Sequence, residues 1–289
     1  MTGHPRVRAT FSLVGAAFGF STIAIFTSLL ANAGTPLLPA MLGRYVVASV
    51  LLVPMAGLAA MRLPARRVVQ LAGIGGLGQA TIAFLSLSAL EYIPAAMLVF
   101  LFYTFPAWVA LRAAILRTER LTGSRLVSLL LSFSGVAVMV GWPGAEAVHP
   151  LGAALALTAA VVYALFIPLI DRLRSGIGAV AATAWVAIGA MVIFFVATLA
   201  GQQMVLPGTT LSWVYVLGLG TVSTALAFTL FLHGLQVVGP VSAAIITTAE
   251  PFFVATLAAL VLDQPIQLQT IVGGTLIAVA VLMLQRAPH

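Results

Sequence analysis

Residues 240–262 read PVSAAIITTAEPFFVATLAALVL, an apolar run broken by one charge, Glu250, with Pro251 beside it. A bilayer core of about 30 Å is crossed by roughly 20 residues of helix, so this run predicts a membrane span with a carboxylate near its middle. Residues 93–111, IPAAMLVFLFYTFPAWVAL, have the same form, and Tyr103-Thr104-Phe105-Pro106 aligns with Thr248-Ala249-Glu250-Pro251 at an offset of 145 (Pro251 against Pro106). The alignment extends outward in collinear order. Thr118-Glu119-Arg120-Leu121 matches Asp263-Gln264-Pro265-Ile266 at the span exits, Ala83-Phe84 matches Ala227-Phe228, and Gly15-Ala16-Ala17 matches Gly152-Ala153-Ala154.

The 289-residue chain is 62% hydrophobic and 7% charged, with a mean hydropathy of +1.17, whereas soluble domains are about 25% charged. Soluble enzyme classes are excluded, because so apolar a chain would expose most of its surface in water. Ten segments have the length and apolarity of membrane spans: 11–31, 37–60, 69–90, 93–111, 126–142, 151–170, 178–200, 212–234, 240–262 and 267–285. They hold two charged side chains, Arg44 and Glu250. The predicted fold class is therefore all-α integral membrane, ten transmembrane helices as two inverted five-helix repeats, residues 1–145 and 146–289. Five spans per copy is an odd number, so the second copy enters the membrane upside down. One set of contacts then closes one side while its mirror closes the other, which is the architecture of alternating access.

All 13 basic side chains are arginine, and cytoplasmic loops are the basic ones. Arg6 and Arg8 precede span 1; Arg62, Arg66 and Arg67 join spans 2 and 3; Arg112, Arg117, Arg120 and Arg125 join spans 4 and 5; Arg172 and Arg174 join spans 6 and 7; Arg286 follows span 10. The opposite loops carry Glu91, Glu146 and Asp263 and no arginine, which predicts both termini in the cytoplasm. Arginines spread in this way encode topology, so no nucleic-acid partner is expected. The first apolar stretch is too long for the core of a cleavable signal. There is no cysteine, which removes disulfides, thiolate catalysis and cysteine metal sites.

Three groups of residues now resemble a known family: Gly43-Arg44-Tyr45-Val46-Val47-Ala48 in span 2, Glu250-Pro251-Phe252-Phe253 in span 9, and the proline-to-glutamate spacing that ends at Glu119. The chain resembles the drug/metabolite transporter superfamily in its EamA-type, ten-span form, over nearly its whole length. Where that family's second repeat usually reads Gly-Glu-Pro, this chain has Asp263-Gln264-Pro265, so the second exit glutamate is missing. The resemblance implies a secondary exporter of small metabolites in a bacterial inner membrane, and more narrowly the amino-acid exporter branch, the YddG-like proteins. It also implies a central cavity surrounded by spans 1, 3, 4, 6, 8 and 9, with spans 5 and 10 peripheral.

An ionised carboxylate at mid-bilayer is costly unless paired or hydrated, so Glu250 is expected to face the protein interior. It serves there as a proton-coupling or substrate-amine group, or as a structural partner of Arg44 near the Pro251 break. Arg44 either ties span 2 to a carbonyl or carboxylate, or meets a substrate carboxylate. A single intramembrane cation disfavours phosphate esters and sugar nucleotides, which need several Arg or Lys donors. A neutral or zwitterionic solute fits better, held by amides, hydroxyls and rings. The candidates at mid-depth are Ser21, Thr22, Gln79, Tyr103, Tyr163, Ser223, Thr224 and Thr248 with Glu250. Each hydroxyl has the alternative of bonding back to its own helix. Trp185, Phe84 and Phe228 are further rings that could stack on a substrate, while Tyr92, Trp108, Trp142 and Trp213 fall at interfaces. His233 is expected to be a hydrated structural residue. Pro106 and Pro251 are candidate paired hinges.

No metal or cofactor is expected, because neither a His-Glu-x-x-His pattern nor a nucleotide loop occurs. The partners are a small-molecule substrate and the lipid bilayer; no oligomer is required and a monomer suffices. The alternatives are a drug or other metabolite exporter of the same fold, or an integral membrane lipid or prenyl enzyme, for which no acidic pair with metal-ligand spacing is present.

Overall fold

In hydrocarbon every backbone N–H and C=O needs a partner within the protein, which for a single apolar segment means helix. A computed structural model describes residues 3–89, 91–93, 95–119, 121–140, 149–262 and 266–286, and no β-strand occurs among them. Span 1 is Gly3–Asn32, span 2 Leu37–Ala56, span 5 Gly123–Val140, span 6 Pro150–Leu173, span 7 Ala179–Ala200 and span 10 Leu268–Arg286. Span 3 is compound: Ala65–Val68, a π-helical Val69–Gly75, then Gly76–Ala89. Span 4 is split into Ala95–Phe102 and Phe105–Ile115. Span 8 runs from Thr210–Gly220 through a π-helical Thr221–Leu226 into Ala227–Thr247, a helix kinked at Gly239 whose last turns already belong to span 9. Glu250–Val261 completes that span.

Eight helices among the described residues are long and apolar enough to cross a membrane, and Glu250–Val261 and Leu268–Leu284 are shorter apolar ones. Because the 38-residue Thr210–Thr247 helix serves both span 8 and the first half of span 9, ten crossings result. Span 1 starts two turns before its expected limit, since nothing breaks the helix upstream. Span 2 stops at Ala56 instead of residue 60: Gly57, at φ 77°, turns the chain and caps Pro54 O, and Leu58–Met61 forms a separate turn. Arg120, Trp142, Glu146 and the Asp263-Gln264-Pro265 stretch lie outside the described residues.

Helix packing maps onto itself when the two halves are exchanged. Span 1 packs on span 8 as span 6 packs on span 3, span 1 touches span 9 as span 6 touches span 4, span 2 pairs with span 7, and span 5 with span 10. Hydrophobic driving force between helices is weak in lipid, so close approach through small residues takes its place. A Cβ on Gly76 would stand 2.5 Å from the Gly189 carbonyl carbon, one on Gly19 2.7 Å from Ala227 Cβ, and one on Gly135 2.7 Å from Gly273 O. The three glycines hold spans 3 and 7, 1 and 8, and 5 and 10 at backbone distance.

The larger buried cluster runs through Leu13, Phe20, Phe166, Ile167, Phe228, Phe231, Ile245 and Ile246, and a second lies around Tyr45, Leu52, Phe194 and Leu219 between spans 2, 7 and 8. Phe11, Phe84, Ile115, Leu130 and Leu260 point outward, as lipid-facing side chains do.

On the face that carries most loop arginines, charged groups tie the helix ends. Glu119 Oε2 is paired with Arg125 at 3.0 Å, while its Oε1 accepts the Val241 N–H at 3.2 Å. The carboxylate thereby caps the start of span 9 just past the Gly239 kink, at φ 80°, which Pro240 reinforces. Nearby, Arg174 bonds Asp171 at 2.8 Å and Gln236 at 3.3 Å, and Arg67 Nη1 donates to Leu173 O at 3.1 Å.

Candidate functional site

Proline has no backbone N–H, and its ring excludes the carbonyl four residues back, so neither span 4 nor span 9 runs through unbroken. Span 4 unwinds at Tyr103 and Thr104 and restarts at Phe105; span 9 unwinds at Thr248 and Ala249 and restarts at Glu250. Pro106 and Pro251 thus fall in the first turn of a new half-helix, where a missing donor is harmless. Hydroxyls add to the bonding of carbonyls at the ends of the first halves, where Leu101 O and Ile245 O also accept the Thr104 and Thr248 N–H. Thr104 donates to Leu101 O and Thr248 to Ile245 O, both at 2.6 Å, and Thr247 to Ala243 O at 3.0 Å. Glu250 is the first residue of its half-helix, so its carboxylate stands at the positive end of the helix dipole, one compensation for charge at this depth.

The two breaks meet at the Tyr103 hydroxyl, which interacts with the Glu250 carboxylate. Tyr163 of span 6 lies within electrostatic reach of both. Its ring stacks on Phe102 at 5.5 Å and meets Phe105 edge-on at 4.7 Å; Tyr103 touches the same two rings at 5.8 and 5.7 Å. The two tyrosines stand by the carboxylate, and Phe102 and Phe105 back them in one aromatic cluster. Sequence reasoning found the two tyrosines and missed Phe102 and Phe105, which flank the Tyr103-Thr104 break.

Arg44 is 7% exposed and lies within electrostatic reach of Glu250, yet among the described residues no ion pair joins the two. Its Nε donates to Thr224 Oγ1 at 2.6 Å, and its guanidinium lies 5.1 Å from the Tyr45 ring centre. Thr224 in turn donates to Leu219 O, five residues back, at 2.9 Å. That reach belongs to the wider π turn, which has no signature in the sequence. The adjacent Ser223 meets Thr22 at 2.6 Å, and Thr22 also bonds Gly19 O at 2.6 Å. One π segment thus ties span 8 to span 1 through Ser223 and to span 2 through Thr224.

Ser21, Thr22, Ser223, Thr224 and Thr248 are all buried between helices. The side chains that keep accessible surface are Glu250, Tyr163 and Gln79. Among the described residues neither the Gln79 amide nor the Tyr163 hydroxyl has a hydrogen-bond partner, and neither is sealed. Phe228 stacks on Phe231 at 6.0 Å, and Phe84 is 65% exposed, so neither joins the rings around Glu250. Trp185 buries an unpartnered Nε1 in span 7. His233 is exposed at the end of span 8, Tyr92 and Trp213 are outward-facing at helix ends, and Trp108, expected at an interface, instead faces outward one turn past the span 4 break, where its Nε1 donates to Thr104 Oγ1 at 3.3 Å. Among the described residues no three His, Asp or Glu come together as a metal site.

Beside the site, an apolar cavity of about 660 Å³ lies between spans 1, 9 and 10, lined by Val14, Ala249, Phe252, Phe253, Gly274 and Ile277 among others. Two of its three threonines, Thr256 and Thr275, donate to carbonyls of their own helices, at 2.9 and 2.8 Å, so these two present little polarity. Ile266, Ile271 and Leu282 on its rim are more than half exposed, which opens it towards lipid.

A pseudo-symmetric bundle with broken helices and polar groups at mid-depth defines the architecture of a membrane carrier. The EamA-like transporter family profile matches residues 7–141 and again 150–286, so the chain belongs to that family and is a membrane transporter. It is 27% identical over 219 residues to an uncharacterized transporter of Archaeoglobus fulgidus, covering 73% of this chain and 76% of that one. A protein crystal structure superposes with a TM-score of 0.82 at 20% identity over 96% of each chain, a likeness of fold.

Proposed function

We propose that this transporter exports small neutral or zwitterionic metabolites, amino acids foremost, by alternating access about the paired breaks. The observation that carries the reading is the inventory at mid-depth: one cation and one carboxylate that do not pair with each other, free amide and phenol groups, and an aromatic wall. Such a site suits a solute with balanced charge and an apolar side chain, and it lacks the donors for a phosphate dianion. No enzymatic role is assigned. The protein acts in the inner membrane of a bacterium with both termini in the cytoplasm, works as a monomer, and uses Pro106 and Pro251 as hinges. The motifs Gly43–Ala48 and Glu250–Phe253 carry the resemblance to the EamA-type superfamily, and the amino-acid branch, the YddG-like exporters, is the narrower reading of that resemblance.

The lipid-facing cavity against Ala249 favours a second reading, a lipophilic drug that reaches Glu250 from the bilayer. Counterflow of labelled aromatic and aliphatic amino acids into proteoliposomes distinguishes the two. Saturable uptake driven by unlabelled amino acid inside supports the first; uptake of lipophilic cations alone favours the second, and no flux of either from folded protein defeats both.

A further inference from the structure

Each nitrogen of Arg44 can be accounted for. Nε is committed to Thr224 Oγ1 at 2.6 Å, and Nη1 has the Met41 sulfur at 3.9 Å, a weak acceptor. Among the described residues Nη2 has no hydrogen-bond partner, and it is not sealed, so it opens on accessible space. The Glu250 carboxylate has the Tyr103 hydroxyl beside it but, among the described residues, no ion pair; it keeps accessible surface and lies within electrostatic reach of Arg44 without touching it. A structural pair would have closed this distance, because two charges taken out of water recover their hydration only by direct, hydrogen-bonded contact. Two opposite charges held apart in a low-dielectric interior each ask for an opposite partner.

We propose that Arg44 and Glu250 hold the two ends of one zwitterion, with the substrate carboxylate on Arg44 and its ammonium on Glu250, and that Thr224 is the positioning residue that aims the guanidinium. This rests on the amino-acid reading above and adds to it which group takes which end. Arginine suits the carboxylate because its planar fork offers parallel donors even with Nε engaged elsewhere. The Thr224 bond fixes the plane of that fork, and the Tyr45 ring beside it restrains tilting. Glu250 suits the ammonium, and the Tyr103 and Tyr163 rings beside it, with Phe102 and Phe105 packed on them, accept a side chain. An analogue lacking one charge would enter with the opposing protein charge still unpaired.

The test uses purified protein in proteoliposomes and competition against labelled L-phenylalanine counterflow, with phenethylamine (no carboxylate) and 3-phenylpropionate (no ammonium) as probes. In the native protein both probes should compete at least about tenfold more weakly than phenylalanine. Arg44→Gln should abolish the preference for phenylalanine over phenethylamine and keep its preference over phenylpropionate; Glu250→Gln should do the reverse. Thr224→Val should raise the KM for phenylalanine and leave phenethylamine competition unchanged, with kcat largely preserved, and Thr224→Ser should restore the KM. Probes that compete as well as phenylalanine in the native protein, or variants that weaken both probes equally, would overturn the assignment while the amino-acid reading stands. Absence of exchange of phenylalanine and of every other amino acid, alongside exchange of solutes that are not amino acids, would remove both together. Size-exclusion profiles and melting temperatures of the variants separate misfolding from these outcomes, and the native-protein arm needs no variant.

Discussion

Glu250 concentrates several influences in one side chain. It lies midway along span 9, at the start of a half-helix, with the Tyr103 hydroxyl beside its carboxylate and Arg44 within electrostatic reach. A lone acid so placed is the candidate for carrying a proton as the site changes exposure. Glu250→Gln should therefore leave a folded protein whose exchange no longer varies with pH, measured as counterflow over a pH series; variation equal to the native protein's would assign Glu250 to structure alone. The residue and its depth were legible in the sequence, because a single acid amid apolar residues needs no alignment to be noticed. The Arg44–Thr224 bond was not legible. Thr224 reads as one hydroxyl among many, and only the π turn brings it to the guanidinium.

Elements were legible where chemistry interrupts the pattern. Pro106 and Pro251 predict breaks, and the breaks fall two to three residues ahead of them, at Tyr103-Thr104 and Thr248-Ala249. The kink between spans 8 and 9 follows Gly239-Pro240 in the same way. The π segments in spans 3 and 8 escaped, since Val69–Gly75 and Thr221–Leu226 have the composition of any membrane helix. Glu119 was noticed for its spacing from Pro106, and its task, capping span 9 while pairing with Arg125, needed the fold. Glu119→Gln should lower stability by about 1 kcal/mol, the usual worth of a helix cap. The check is the melting temperature of purified protein, with Arg125→Ala and the double variant completing a cycle. Equal losses in the single variants and little more in the double would show one shared unit; additive losses would show that the carboxylate acts on Val241 alone.

At the scale of the whole molecule, the repeat matters more than any one contact. Offsets of 145 between the breaks and 144 between Ala83-Phe84 and Ala227-Phe228 disclosed two copies, and the packing follows the same exchange of halves. Two departures from symmetry stand out against that frame. Arg44 and Glu250 are the only charges in the ten predicted spans, one in each half. The exit glutamate also belongs to one half only, Glu119 aligning with Gln264. A symmetric scaffold carrying asymmetric charge gives the two faces different stabilities and the site a fixed polarity. The chain contains no cysteine, so a single introduced thiol reports without background. The most direct measurement is therefore the labelling of Tyr163→Cys, in protein that still exchanges substrate, by a membrane-impermeant thiol reagent added from either face of oriented vesicles. The account predicts labelling from both faces, with substrate changing the two rates in opposite directions. Labelling from one face only, whatever the substrate, would contradict it.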